Sequence, residues 1–332
     1  MRTRHTMRAL VLEHYGAEFI ERQVERPVAG RGQVLVRVLA SGVNPIDYKI
    51  RTGAAPYAMP ELPAILGTDL AGVVETVGED VTAFNEGDEV YGLTGGVRGL
   101  PGSLAEYVAV DANLLALKPR NLGMREAAAM PLVFLTAWEG LVDAARVQKD
   151  QRILVQGGAG GVGHMAVQIA RSHGAEVFAT ASAGKQAIVE SLGATFIDYR
   201  TSVVQDYVSL HTDGQGFDIV YDTVGGQSLD DSMLAVRPYG HVVSCAAFGT
   251  HNLAPGSLRC ATLSGVFVLR PMLSGLGRAH HGEILGRATE LVEAGKLKPL
   301  LDPRHFIFSD ANDAHHAQED GTAVGKLVVD VQ

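Results

Sequence analysis

Short alternating stretches of apolar and polar residues occupy the first third of the chain. Residues 8–12 and 33–40 alternate as half-buried strands do, and residues 73–77 and 89–92 read similarly. Gly78, Gly87 and Asp88 punctuate the turns between them. Many short strands separated by turns predict a compact, partly open β-barrel rather than a parallel sheet. From about Arg125 the pattern changes. Apolar runs at 153–156, 177–180, 196–197, 219–221, 242–244 and 266–269 now alternate with helix-length amphipathic stretches such as 164–173 and 185–192. Six buried strands with helical crossovers describe a doubly wound parallel sheet.

After Pro271 the sequence predicts a helix over 283–294 and two short strands, the last over 326–331. This tail is expected to return to the first domain and make it discontinuous. The expected division is therefore 7–124 for the first part of the barrel domain, 125–270 for the parallel-sheet domain and 271–332 for the return. Residues 1–6 are basic with no apolar run after them, so they read as a frayed tail or an expression remnant and not as a secretory signal.

A length of 332 residues suits two domains better than one core. The balance of 46% apolar and 20% charged residues is that of a globular protein. A formal net charge of −9 argues against nucleic acid as a partner, because phosphate backbones attract cationic surfaces. No run of apolar residues is long enough to predict a membrane span. The 2 cysteines, Cys245 and Cys260, cannot build a disulfide framework, which fits a cytoplasmic location.

The strongest chemical signal is ILVQGGAGGVGHMAVQIARSHGAEVFATAS. An apolar strand ends at Gln156, a glycine-rich turn follows, and an amphipathic helix begins directly after. Gly158, Ala159, Gly160, Gly161, Val162 and Gly163 offer a tight reversal, close backbone approach to a pyrophosphate, and tight packing of helix on strand. The helix N-terminus adds unpaired N–H groups and a positive dipole end. Strand, turn, helix and second strand all fall at the spacing of a dinucleotide site.

The second strand ends near Ser182, where an NAD-binding protein places an acidic residue for the ribose hydroxyls. A carboxylate about 4 Å from a 2′-phosphate would repel it by roughly 4 kcal/mol per unit charge at an effective dielectric of about 20. Ser182 removes that barrier, its hydroxyl and Lys185 supply attraction for the phosphate, and Tyr199 is a candidate to close over the same end. NADPH is the expected cofactor.

The stretches MRALVLEHYG, GQVLVRVLASGVNPIDYKIRTG, LPAILGTDLAGVVETVGEDVTAFNEGDEVYG, GSLAEYVAV, FDIVYDTVGG and GKLVV join the glycine-rich turn. Together they resemble the medium-chain dehydrogenase/reductase superfamily, in its zinc-free, quinone oxidoreductase-like branch. The resemblance implies a GroES-like catalytic domain beside a Rossmann domain, with the active site in the cleft between them. Zinc-dependent members bind catalytic metal through a Cys, a His and a second Cys or Asp. Here Asn44 stands at the first of these positions, Thr68 and Asp69 replace a His–Glu pair, and MPLVFLTAWEG holds no Cys. The grouped thiolate and imidazole ligands that zinc requires are missing, so no metal is expected. Of the 12 histidines, the adjacent pairs 280–281 and 315–316 read as surface or capping residues, and His164 as packing at a helix start.

Without a metal, hydrogen-bond donors and a proton source must stabilise the electron-rich acceptor. By resemblance Asn44 lies near the nicotinamide and the substrate carbonyl, with Tyr48 on the same segment. The stretch GAAPYAMPELPA resembles the loop of 2-enoyl thioester reductases that carries their proton-donating tyrosine, here Tyr57. Thr136 resembles a residue near the cofactor phosphates. Asp222, Thr223, Val224 and Gly225 resemble the loop over the adenosine and nicotinamide ribose. Ser244 and Phe248 follow the fifth strand, Phe267 lies in the expected sixth, and Lys326 resembles a late lysine that reaches the cofactor.

The expected activity is hydride transfer from NADPH to a small quinone or to an α,β-unsaturated carbonyl. An enoyl-thioester or enone C=C reductase using Tyr57 is the alternative, and a non-catalytic NADPH-binding structural or regulatory protein is an alternative of another class. Apolar Pro56, Met59, Leu93, Phe134 and Phe248 suggest a pocket for hydrophobic acceptors. In relatives the sixth strand pairs across a two-fold axis, so an apolar edge at 265–269 implies a homodimer, or a tetramer if further edges mix.

Overall fold

The computed structural model describes residues 6–332. The expected tail over 1–6 therefore falls almost entirely outside the described residues. The chain divides into two compact units, residues 1–132 with 269–332, and residues 133–268. The first division lies eight residues beyond the expected 124, because the short helix after the barrel strands packs on the barrel.

The first unit opens with β1 (Thr6–Leu12), β2 (Ile20–Glu25) and β3 (Gln33–Val43), followed by α1 (Pro45–Arg51). Then come β4 (Ala64–Ile65), β5 (Asp69–Val77), β6 (Glu89–Leu93), β7 (Tyr107–Asp111), β8 (Leu115–Leu117) and α2 (Met124–Ala128). Strand β3 is the spine. It pairs antiparallel with β5 and with β7, and its register slips between Leu35/Val36 and Val38/Ala40. Those irregularities bend a strand and increase its twist, which curls the sheet toward a barrel. Val34, Val36 and Val38 point inward and are fully buried, as period-two alternation requires.

The second unit contains α3 (Pro131–Trp138, its first two residues in the first unit), β9 (Arg152–Gln156), α4 (Gly161–Ser172), β10 (Glu176–Ala181), α5 (Gln186–Ser191) and β11 (Thr195–Asp198). It continues with α6 (Val204–Thr212), β12 (Phe217–Asp222), α7 (Gln227–Ala235), β13 (Val236–Ser244), α8 (Ala254–Leu258) and β14 (Thr262–Gly265). The six strands are parallel in the order β11-β10-β9-β12-β13-β14. Order reverses between β9 and β12, so the carboxyl ends of those strands form the switch point where open α/β sheets bind ligands. Leu154, Phe178, Phe217, Val220, Leu229 and Met233 form one core cluster of this unit. Burying a ring such as Phe217 contributes about 1.5–3 kcal/mol.

The sixth strand differs from expectation. It is β14, over Thr262–Gly265, and residues 266–269 lie beyond its end. Val266 N–H still donates to the Ser244 carbonyl at 2.9 Å, after which the chain leaves the ladder. Val268 and Leu269 are apolar because they are buried without pairing, a distinction that composition alone does not make. Phe267 accordingly follows the strand instead of lying in it.

The chain then returns through α9 (Arg270–Ser274), α10 (Arg278–Glu293), β15 (Phe306–Ile307), α11 (Ala311–Glu319) and β16 (Leu327–Asp330). Strand β16 pairs antiparallel with β3, from Leu327 opposite Val43 to Asp330 opposite Ala40. The last strand thus lies beside the turn that starts α1. No helix is long and apolar enough to cross a membrane among the described residues.

Candidate active site

In the second unit a polar network fixes the glycine-rich turn. The Thr180 hydroxyl donates to Gln156 Oε1 at 2.7 Å and accepts from Gly157 N at 3.1 Å. Gly158 N donates to the Thr180 carbonyl at 2.9 Å, and the Thr223 hydroxyl donates to the Gln156 carbonyl at 2.7 Å. The ends of β9, β10 and β12 are therefore tied at one place. A Cβ on Gly163 would lie 2.1 Å from the Gly157 carbonyl oxygen, so α4 starts closer to the turn than any side chain allows. Gly160 caps α4 with no side-chain hydrogen bond, leaving the first-turn N–H groups available to an anion. A dinucleotide pyrophosphate fits this cradle. His164 is buried with Nδ1 3.0 Å from the Gly160 carbonyl, packed at the helix start.

Strands β10 and β11 run parallel with Ala181 opposite Asp198, which brings Ser182 and Tyr199 to the same carboxyl edge. Lys185 sits half-buried in a 3-10 turn over Ala183–Lys185, its N–H bonded to the Ser182 carbonyl at 2.8 Å. Tyr199 is exposed, with the Arg200 Nε 3.3 Å from its hydroxyl. Arg200 was not singled out by the sequence reading, and its position two residues past the end of β11 is the signal that marks it.

Asp222 is fully buried, and its carboxylate accepts from Val224 N, Gly225 N, the Ser228 hydroxyl and the Ser244 hydroxyl at 2.6–3.1 Å. Asp222 and Ser244 thus shape the loop after β12, which presents Val224 to solvent. Thr136, on α3, is buried and its carbonyl accepts from Tyr221 Oη at 2.6 Å. Phe248 and Phe267 are both exposed. Beside Asp222, burial pushes the Cys245 thiol up to about 12, so it stays protonated.

In the first unit the start of α1 carries a buried polar cluster. Asn44 caps the helix and is fully buried. Its Nδ2 donates to Asp69 Oδ2 at 2.8 Å and to Thr68 Oγ1 at 3.0 Å, and its backbone N donates to Asp47 Oδ2 at 2.7 Å. The Thr68 hydroxyl donates to the same Asp47 oxygen at 3.2 Å. Asp69 Oδ1 accepts from Leu132 N at 2.9 Å. Lys326, also buried, donates from Nζ to the Val43 carbonyl at 2.8 Å and to Asn44 Oδ1. Burial pushes the Asp47 carboxyl up to about 6 and the Asp69 carboxyl to about 7, against the pull of the Lys326 ammonium. Burial likewise lowers Lys326, opposed by the two carboxylates. The positions that hold metal in zinc-dependent members thus carry side chains bonded to one another. Among the described residues no group of three or more His, Cys, Asp or Glu is placed to hold a metal ion.

Tyr48 lies half-buried on α1, four residues after Asn44. Tyr57 lies half-buried on the loop after α1, and desolvation raises its phenol above the ordinary value of 10.0. Arg98, in a left-handed conformation with φ +46, clasps that loop: its N–H reaches the Ala58 carbonyl at 2.9 Å and its Nε the Tyr57 carbonyl at 3.1 Å. Asp47 and Arg98 were missed by sequence reading; the three-residue spacing of a helix cap from Asn44 is the signal that marks Asp47, whereas the partners of Arg98 lie on another segment.

Other expectations need correction. Leu93 and Phe134 are fully buried core residues and do not line an open pocket. Of the histidine pairs, His281 and His315 are buried and not at the surface, while His280 and His316 face outward. Adjacent helical residues point in different directions, so one of each pair enters the core.

Residues 30–120 match the alcohol dehydrogenase GroES-like domain, and residues 192–329 match the zinc-binding dehydrogenase family. The chain is 38% identical to the 2-methylene-furan-3-one reductase of Solanum lycopersicum, over 93% of this chain and 74% of the relative. It is 36% identical to the chloroplastic NADPH-dependent alkenal/one oxidoreductase of Arabidopsis thaliana, over 97% and 79%. A crystal structure of an alcohol dehydrogenase superfamily protein from Novosphingobium aromaticivorans superposes with a TM-score of 0.97 at 53% identity, over 98% and 100% of the two chains. Glycine cradle, GroES-like barrel and these likenesses agree: the chain belongs to the zinc-type alcohol dehydrogenase superfamily of medium-chain dehydrogenases and reductases, and it is an enzyme of the oxidoreductase class.

Proposed function

We propose that this enzyme is an NADPH-dependent reductase of α,β-unsaturated carbonyl compounds, adding hydride at the β-carbon and a proton at the α-carbon. Quinones, whose carbonyl is conjugated in the same sense, fall within the proposal as acceptors. The observation that carries it is the carboxyl end of β10, where Ser182 stands at the position that carries an acidic residue in NAD-binding proteins, with Lys185 in the turn that follows and Tyr199 after the neighbouring strand β11. The likeness to an alkenal/one oxidoreductase and a 2-methylene-furan-3-one reductase supports the acceptor class.

When bound, the nicotinamide supplies the hydride. Residues 157–163 and the first turn of α4 receive the pyrophosphate, with Thr136 nearby. Ser182 and Lys185 hold the 2′-phosphate and Tyr199 covers it. Thr223, Val224 and Gly225 contact the riboses from a loop that Asp222 and Ser244 hold in shape, and Phe248 and Phe267 wall the site. Tyr57 donates the proton. Its raised pKa keeps the phenol protonated at neutral pH, as a donor requires. Tyr48 polarises the substrate carbonyl from the helix that Asn44 caps.

The same reading makes the enzyme cytoplasmic, which suits the free thiols Cys245 and Cys260, and homodimeric through the open edge of β14, where Leu263 is exposed. The test is consumption of NADPH, with NADH in parallel, against enals, enones, quinones and enoyl thioesters. Turnover of a conjugated carbonyl with NADPH preferred supports the proposal. Tight NADPH binding with no turnover on any acceptor overturns it in favour of a non-catalytic binding protein.

A further inference from the structure

Lys326 is buried, with the carboxylates of Asp47 and Asp69 close by and its ammonium bonded to the residue that caps α1. We propose that Lys326 is a positioning residue of the reductase site, an internal cation that fixes the Asn44 carboxamide and compensates Asp47 and Asp69. The proposal rests on the reductase reading given above.

The backbone at Lys326 is held on both sides. Its N–H donates to the Leu300 carbonyl at 2.7 Å, and its carbonyl accepts from Asp302 N at 2.9 Å. Gly325 precedes it at φ +95, and a Cβ there would lie 2.5 Å from the Leu300 oxygen. Only glycine allows the chain to approach so closely while turning into the left-handed region. The lysine side chain is thereby delivered from the end of the chain to a turn 282 residues away.

Asn44 has every polar group engaged inside the protein. Oδ1 accepts from Lys326, and the two Nδ2 hydrogens go to Asp69 and Thr68. Its backbone N donates to Asp47 Oδ2, and its carbonyl accepts from Asp47 N at 3.0 Å. An amide with both hydrogens committed and its oxygen bonded to an ammonium has one orientation and no hydrogen left to donate to a substrate. Asn44 therefore works by fixing the start of α1, the helix that carries Tyr48 four residues on. The charge balance points the same way. Two buried carboxylates face one ammonium, and Asp47 Oδ1 has no hydrogen-bond partner at all. Such a cluster holds only while the ammonium stays in place, because an uncompensated buried charge is strongly destabilising.

The full-length protein is compared with Lys326→Met and with the double variant Lys326→Met, Asp69→Asn, which restores the net charge of the cluster. Melting temperature, NADPH affinity by fluorescence titration, and kcat with the best enone are measured. Lys326→Met is expected to lower the melting temperature by more than about 5 °C and kcat by more than about tenfold, with NADPH affinity changed less than about twofold. The double variant is expected to regain most of the stability while kcat stays low, because the Asn44 oxygen still lacks its partner. If Lys326→Met alone does not fold, the double variant carries the comparison against wild type. Loss of NADPH affinity by about tenfold with kcat retained would make Lys326 a cofactor ligand and overturn the proposal. Recovery of kcat together with stability would reduce it to a structural charge and overturn it equally. Absence of turnover in the wild type sinks the reductase reading and the positioning claim with it, while stability and affinity still separate an internal cation from a cofactor ligand.

Discussion

Gly158, in the turn two residues past β9, packs so closely on Ala179 of β10 that a Cβ added to it would lie 2.4 Å from the Ala179 Cβ. Real carbon atoms do not approach to that distance, and Ala179 is held by the sheet on both sides. Gly158→Ala is therefore expected to destabilise the protein by about 1–3 kcal/mol and to weaken NADPH binding through the displaced turn. Gly160 is the contrast, since the nearest atom to an added Cβ is the Gly157 oxygen at 3.2 Å. Gly160→Ala is expected to leave the melting temperature within about 2 °C of wild type while raising the NADPH dissociation constant about tenfold. Thermal melts and fluorescence titration of the two variants side by side check both.

Cofactor preference is written at the end of β10. Ser182→Asp places a carboxylate where the 2′-phosphate is expected, and repulsion of a few kcal/mol translates into a loss of about 10- to 100-fold in kcat/KM for NADPH. NADH, which lacks that phosphate, is expected to be used at least as well as before. A ratio of the two kcat/KM values that does not move would contradict the assignment of Ser182 and Lys185.

Burial raises the Tyr57 phenol above 10.0, so its acid form persists across the neutral range. Enone turnover is accordingly expected to be flat from neutral pH up to about 10 and to fall above it. Tyr57→Phe is expected to cut kcat on enones by about 100-fold while sparing quinones, which take their protons from water. Equal losses on both acceptors would remove Tyr57 as the donor.

His315 is buried between α11 and α1, edge-on to Phe19 with ring centroids 4.8 Å apart, and its Nδ1 has no hydrogen-bond partner. Burial, with the Arg51 guanidinium and His316 nearby, lowers its pKa from 6.5 to about 3. The unfolded chain binds this proton at higher pH than the folded one. Stability is therefore full above about 6.5 and is lost as pH falls toward 3, by an amount on the order of a few kcal/mol. Urea unfolding at pH 4.5 and 7 is expected to show this slope in wild type and a shallower one in His315→Phe.

Local pattern carried the parts of the fold that local physics determines. The strand–turn–helix around residues 152–172 was legible because apolar run, glycines and helical period lie within one short window. Strands β3 and β5 were legible from alternation, although both extend further than the alternation does, into the buried Ser41 and Asp69. Residues 266–269 misled because burial without pairing has the same composition as a strand. Helix α11 was missed because its sequence, ANDAHHAQE, is mostly polar and is fixed by packing against α1. The link from Lys326 to Asn44 could not be read from spacing, since only the pairing of β16 with β3 brings those residues together.

The most direct test of the proposed reaction follows the label. An enone is reduced with NADPH carrying deuterium at the transferable position in ordinary water, and separately with unlabelled NADPH in heavy water, and the product is read by NMR. The account predicts deuterium at the β-carbon in the first case and at the α-carbon in the second, with the carbonyl intact. Deuterium on a carbinol carbon would mean that the enzyme reduces the carbonyl itself, and would contradict it.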